Sequence, residues 1–170
     1  MFLDESGVTT SMTRTLARAP RGQRATDQVP RNRGTVTTLL GAMTTTEVVA
    51  MMSIEAGTTT EVFEAFLRNV LLPKLEPGTT VVMDNLGAHR AKRIAALLDG
   101  HGIEVRFTLP SSPEFNPIEL FWGWLKARLR TWKARSVGLL DTAVGLAMQE
   151  LPAAIAAAWA VHTGYPRECR

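Results

Sequence analysis

The sequence predicts an α/β fold, a mixed sheet with helices packed on both faces. Three observations predict it. Apolar residues make up 45% of the chain and charged residues 21%, the balance of a chain that buries a core. The first third carries three strand-like runs, two of them separated by only a few residues. Beyond it, strands alternate with helices, which is the pattern of parallel pairing. At 170 residues the chain suits one domain, spanning 1–170, and that size buries about two-thirds of the unfolded surface.

The elements follow in order. "MFLDESGV" reads as a short strand with Asp4 and Gly7 near its end. The Arg-, Pro- and Gly-containing stretch to Gly34 reads as loop or irregular hairpin. "TVTTLLGAM" and "EVVAMMSI" are rich in β-branched and apolar residues and flank a short "TTT", as an antiparallel pair would. "TTTEVFEAFLRNVLLPKL" opens on a threonine cap and spaces Val62, Phe63, Phe66, Val70 and Leu71 at a helical period. "TTVVMDN" is a buried strand closing on an acid. "HRAKRIAALLDG" is a helix with Ile94, Leu97 and Leu98 on one side, opened by His89 and stopped at Gly100. "IEVRFTL" is the last strand, and "PSSPEFNP" is a loop stiffened by prolines. Two or three helices fill the remainder, the last rich in alanine.

Composition excludes several classes. The start has an acid at position 4 and no apolar core of a signal peptide. The longest apolar run, "AAIAAAWAV", is far short of the ~20 residues of a membrane span, so no membrane partner is expected. A single cysteine, Cys169, leaves no internal disulfide framework and no Cys-based zinc site, and it is read as inert. That usage fits a reducing cytoplasm. Net charge is +3, but it is unevenly placed. Arg14, Arg18, Arg21, Arg24, Arg31 and Arg33 share a segment with one acid, Asp27. Lys126, Arg128, Arg130, Lys133 and Arg135 form a second block without acids among them. Such blocks suit either a polyanion partner or a solvated face.

In parallel sheets, sites form at the carboxyl ends of strands, and that rule selects Asp4 and Asp84 together. A carboxylate closing an apolar strand is costly unless it is solvated, paired or bound to a cation. Asp84 also suits a plainer role, starting a turn and capping the next helix. If the first and fourth strands are neighbours, the two acids lie side by side at one end of the sheet. The loop from Leu109 to Asn116 is long enough to bring Glu119 over that end. Locally, Glu119 also reads as the N3 residue of a capping box, with Asn116 as N-cap and Pro117 at the first helical position. Both readings remain open on this stretch alone. Three clustered carboxylates repel one another and need a cation. An all-oxygen donor set with few protein ligands favours Mg²⁺ or Mn²⁺ over zinc. Such a site suits phosphodiester chemistry with two ions ~3.5–4 Å apart.

The helix that begins at Pro117 supplies a surface for the partner. Glu119, Gly123, Lys126, Arg130 and Lys133 step by four, three, four and three, so they share one stripe. Its cations suit a phosphate backbone leading to the acids. Ile118, Phe121, Trp122, Leu125, Leu129 and Trp132 are expected to pack on the sheet. Trp124 is left as the weaker candidate for base stacking. His101 and His162 receive no role.

At these residues the chain resembles the catalytic domain of DDE transposases of the mariner superfamily, in particular their bacterial insertion-sequence branch. The matching segments are "FLDESG", "APRGQ", "VVMDNLGAH" and "LPSSPEFNPIELFWGWLK", with 34 residues between Asp84 and Glu119. The resemblance covers nearly the whole chain. It implies a ribonuclease H-like fold, two divalent ions, and DNA as substrate at both transposon ends and target. By position it makes Asp4, Asp84 and Glu119 the catalytic and metal-binding triad, with Asn85, His89, Asn116 and Pro117 supporting it. It further implies a homodimer on DNA in a bacterial cytoplasm, at the nucleoid. A complete member carries a helix-turn-helix region ahead of the first catalytic strand, and this sequence begins at that strand. An upstream helix-turn-helix polypeptide is therefore an expected partner, and a truncated copy, a split reading frame and a mis-assigned start are the alternatives. The competing functions are a catalytically silent remnant that only binds DNA and a metal nuclease of the same fold.

Overall fold

The structure, a computed structural model, describes residues 1–32, 34–87, 89–109 and 112–166. Arg33 and Cys169, both named above, lie outside the described residues. The sheet has five strands in the order β3-β2-β1-β4-β5. These are β1 (Phe2–Thr9), β2 (Val36–Met43), β3 (Val48–Ile54), β4 (Thr80–Met83) and β5 (Glu104–Phe107). β1, β2 and β3 pair antiparallel, whereas β1–β4 and β4–β5 are parallel. The sheet is therefore mixed, and the first and fourth strands are neighbours.

Side-chain alternation along β1 assigns its two faces. Leu3 belongs to a core that includes Leu40, Met83, Phe63 and Phe66 of α1 (Thr60–Phe66), and Ile94 and Leu98 of α2 (Lys92–Asp99). Phe2 and Val8 belong to the opposite core, built with Leu39 and Met43 against α3 (Pro117–Trp132), α4 (Val137–Glu150) and α5 (Ala153–His162). Helices thus cover both faces. Among the described residues no single helix is long and apolar enough to cross a membrane.

Several boundaries differ from the sequence reading. The first helix does not run on uniformly: it widens into a π-helical stretch, Leu67–Leu71, and closes in a tight turn, Leu72–Lys74. Pro73 lies in that turn, where its missing N–H cannot continue the helical ladder. His89 does not open α2, which starts at Lys92; it sits buried in the preceding turn. β1 extends well past Asp4, because β2 stays paired with it as far as Thr9. Trp132 does not join the core and is 37% exposed at the end of α3.

Candidate active site

Asp4 and Asp84 reach one place through strand register. The parallel ladder of β1 with β4 is fixed at Phe2 opposite Val82, so two residues further along each strand Asp4 comes level with Asp84. Alternation does the rest. Asp4 shares the face of Phe2. Asp84, one residue past Met83 of the opposite core, turns to that same face, the one α3 covers. Glu119 lies in the first turn of α3. All three acids line a cavity of about 310 Å³, together with Asn85, Leu86, Thr108, Leu109, Ser112, Pro113 and Asn116. Among the described residues no basic side chain lines it.

The acids differ in environment. Asp4 is buried, and its pKa is pushed up to about 6, chiefly by loss of solvent. The neighbouring charges of Glu119 and Asp84 push in the same direction. The Glu5 N–H and the Trp122 indole N–H, which donates to Oδ2 at 3.0 Å, act against them. Asp84 is half-buried, and desolvation alone would raise it. The imidazole Nδ1 of His89, 2.6 Å from Oδ1, and the Leu86 N–H at 3.2 Å outweigh that effect and hold Asp84 below the usual carboxylate range. Glu119 is exposed, and its carboxylate has no partner among the described residues.

The supporting residues take distinct parts. His89 is 2% exposed, packs its ring on Phe63 with centroids 4.1 Å apart, and has no partner for Nε2 among the described residues. The amide of Asn85 donates to the Thr108 carbonyl at 3.0 Å, tying the end of β4 to the end of β5. Pro117 begins α3 and is buried. The capping box at Glu119 is absent. Asn116 stands at the N-cap but makes no side-chain cap bond, and its own N–H donates to the Pro113 carbonyl at 3.0 Å. Glu119 is therefore not engaged at the helix start. Asn116 itself is buried, with Oδ1 lacking any partner among the described residues.

The basic stripe is shorter than its spacing suggests. Lys133 leaves it: the residue caps α3 in the left-handed region (φ 52°), and its ammonium donates to both oxygens of Asp27. Arg128 pairs with Glu150, and Arg135 donates to the backbone carbonyls of Thr10 and Met12. Sequence reading saw a block without acids because its partners come from distant segments. Lys126 and Arg130 have no ion-pair partner among the described residues, and neither do the exposed Arg14, Arg18, Arg21, Arg24 and Arg31. Gly123 faces open space: no described residue comes within 4 Å of where a Cβ would stand. Trp124 is half-buried. It packs against Phe121 and Trp159, and the Arg128 guanidinium lies 4.7 Å from its ring centroid.

Two contributors to the site escaped the sequence reading. Trp122 was expected only in the core, yet its N–H holds Asp4. Tyr165 donates its hydroxyl to the Phe115 carbonyl at 3.0 Å and meets Phe2 edge-on at 4.5 Å, pinning the turn just before α3. The one local signal was Gly41 inside a strand, which marks a close approach by another group.

The donor set fits a hard divalent cation. It offers three carboxylates, all oxygen, with no cationic side chain among the described residues lining the cavity. Among the described residues no three His, Cys, Asp or Glu side chains stand close enough to hold an ion as placed. Asp4 and Asp84 are held by their partners, whereas the Glu119 carboxylate has none among the described residues.

A mixed five-stranded sheet of this order, with acids opening at the carboxyl end of its central parallel pair, is a ribonuclease H-like core. The family described as DDE superfamily endonuclease matches residues 1–140, and the chain belongs to it. The fold is similar to that of the Mos1 strand transfer complex (TM-score 0.73, 18% identity, covering 95% of this chain and 50% of that one). It is similar also to the mariner Mos1 paired end complex with Mg (TM-score 0.72, 18% identity, 98% and 56%). The catalytic core domain of BIV integrase matches at TM-score 0.54 and 17% identity, over 88% of this chain and 82% of that one. The chain spans about half the length of the Mos1 chains in these complexes. A search of the curated proteins finds no match.

Proposed function

We propose that this chain is the catalytic domain of a transposase of the bacterial insertion-sequence branch. In this reading it cleaves DNA at transposon ends and joins the ends to target DNA. The observation that carries the reading is the meeting of Asp4, Asp84 and Glu119 on one cavity that no basic side chain among the described residues lines. Asp4, Asp84 and Glu119 would hold two Mg²⁺ or Mn²⁺ ions. When bound, these ions neutralise charge developing on the phosphoryl group and activate the attacking oxygen. In the first step water attacks the phosphorus and the P–O3′ bond breaks, leaving a free 3′-hydroxyl. In the second, that hydroxyl attacks a target phosphodiester in line, a new P–O3′ bond forms, and the target's own O3′ leaves.

The rest of the chain positions these reactants. His89 orients Asp84. Asn85 fixes the loop beside it, and Asn116 with Pro117 sets where Glu119 begins. Lys126 and Arg130 take DNA phosphates, while Lys133 is left to Asp27. The same reading makes 1–170 a single domain acting as a homodimer on DNA at the nucleoid of a bacterial cytoplasm. A helix-turn-helix polypeptide would supply recognition of the ends.

Asp84→Asn tests the proposal, because the amide keeps the shape and removes the charge that attracts a cation. With Mn²⁺, a DNA end and the upstream polypeptide supplied, wild type should nick DNA. Asp84→Asn should not nick it, while binding it with nearly unchanged affinity. A wild-type chain that binds DNA and never nicks it is a silent binding protein, and the proposal fails.

A further inference from the structure

Trp122 is three residues past Glu119 on α3, and its indole reaches across to β1. Its N–H donates to Asp4 Oδ2 at 3.0 Å in a buried contact between residues 118 positions apart. The approach is possible because Gly41, opposite Asp4 in the antiparallel register, has no side chain. A Cβ there would lie 2.7 Å from the indole Cη2 and 3.0 Å from Cζ2. Ile118, also on α3, would be 3.6 Å from the same Cβ, so helix and strand are fitted closely at this point.

We infer that Trp122 is a positioning residue that fixes the Asp4 carboxylate and, through α3, sets Glu119 against it. The inference rests on the proposed role of the three acids. An indole N–H can only donate, so it occupies one carboxylate oxygen and limits rotation about the Cβ–Cγ bond. With the Glu5 N–H also donating to this carboxylate, the group is held in a defined orientation. Because the donor belongs to the helix that carries Glu119, one contact sets the relation between two acids on different elements. A core tryptophan with no such task would need a hydrophobic slot but no glycine facing an acid. Partners of this kind around metal ligands are worth about 10- to 100-fold in metal affinity.

The test compares wild type, Trp122→Phe, Gly41→Ala and Asp84→Asn by calorimetric titration with Mn²⁺ and by melting in metal-free buffer. Trp122→Phe keeps an aromatic ring and deletes the donor, and Gly41→Ala keeps the donor and displaces it. Both should weaken Mn²⁺ binding about tenfold or more, and they should do so in samples that melt cooperatively without metal. Unchanged Mn²⁺ affinity in a folded Trp122→Phe, with wild type binding and Asp84→Asn not binding, overturns the inference and leaves the active-site reading standing. Wild type that takes up no Mn²⁺ overturns both.

If the variants do not fold, wild type labelled with ¹⁵N in its tryptophan indoles answers the question directly. The Trp122 N–H should exchange slowly with solvent and move when Mg²⁺ is added. A Trp122 signal that stays fixed while Mn²⁺ binding is measured by calorimetry counts against the inference.

Discussion

Replacing Asp4 by Asn should make the metal-free protein more stable. Asp4 is buried, and its pKa rises from 3.8 to about 6, with burial the largest cause. The sign follows from proton binding. Between pH 4 and 6 the unfolded chain loses this proton before the folded chain does, so stability falls as pH rises through that window. Above about pH 6 the folded state carries a charge that its surroundings disfavour. A shift of slightly over two units, at 1.36 kcal/mol each, is worth about 3 kcal/mol. Asn is neutral at every pH and still offers an acceptor to the Trp122 N–H. Asp4→Asn should therefore gain about 3 kcal/mol at pH 7.5, or roughly 6–12 °C in Tm for a chain of this size. The gain should shrink to nothing near pH 4, where the wild-type carboxyl is itself protonated. Mg²⁺ should raise the Tm of wild type and leave the variant unmoved, since a ligand stabilises only the state it binds. Thermal melts from pH 4 to 8, with and without Mg²⁺, read all of this. A variant that is less stable than wild type at pH 7.5 would refute the reasoning, as would a gain that does not depend on pH.

Further predictions concern His89 beside Asp84 and two cations of the Glu119 helix and its cap. His89→Ala removes the contact that offsets the burial of Asp84, so the Asp84 carboxyl should titrate at higher pH. ¹³C NMR of the carboxyl would show it, and the acid limb of Mn²⁺ binding should move upward with it. On α3, Arg130→Ala should flatten the slope of log DNA affinity against log salt by roughly 0.9, the effect of one lost phosphate contact. Lys133→Ala should leave the slope unchanged, because its charge is spent on Asp27. Equal effects at the two positions would return Lys133 to the stripe.

Much of the fold could be read because local pattern and tertiary demand agree. Alternation in "FLDESGV" and "VVMDN" puts Asp4 and Asp84 on one face once the two strands are parallel neighbours, and the order of strands and helices makes them so. The site was less legible where long-range contacts decide. The capping box is a local rule that Asn116–Glu119 satisfies in sequence and abandons in structure, since the Asn116 N–H already donates to Pro113 in the preceding turn. Lys133 has the right spacing for the stripe, but the helix ends there and Asp27, over a hundred residues earlier, takes its charge. Trp122 and Trp132 share a helical period and a residue type, yet only Trp122 lies against the sheet. No local pattern distinguishes a tryptophan that fills a core from one that also holds an acid. The glycine opposite Asp4 is a hint that becomes readable only once the strand register is known.

The central claim is that Asp4, Asp84 and Glu119 together hold the ions of a phosphoryl-transfer site. Anomalous diffraction from crystals grown with Mn²⁺ tests it most directly. The account predicts manganese peaks coordinated by Asp4 and Asp84, with the Glu119 side chain turned into the cavity as a third ligand and Trp122 still bonded to Asp4. Manganese absent from this cavity in crystals that bind it elsewhere, with Glu119 remaining in solvent, would contradict the claim.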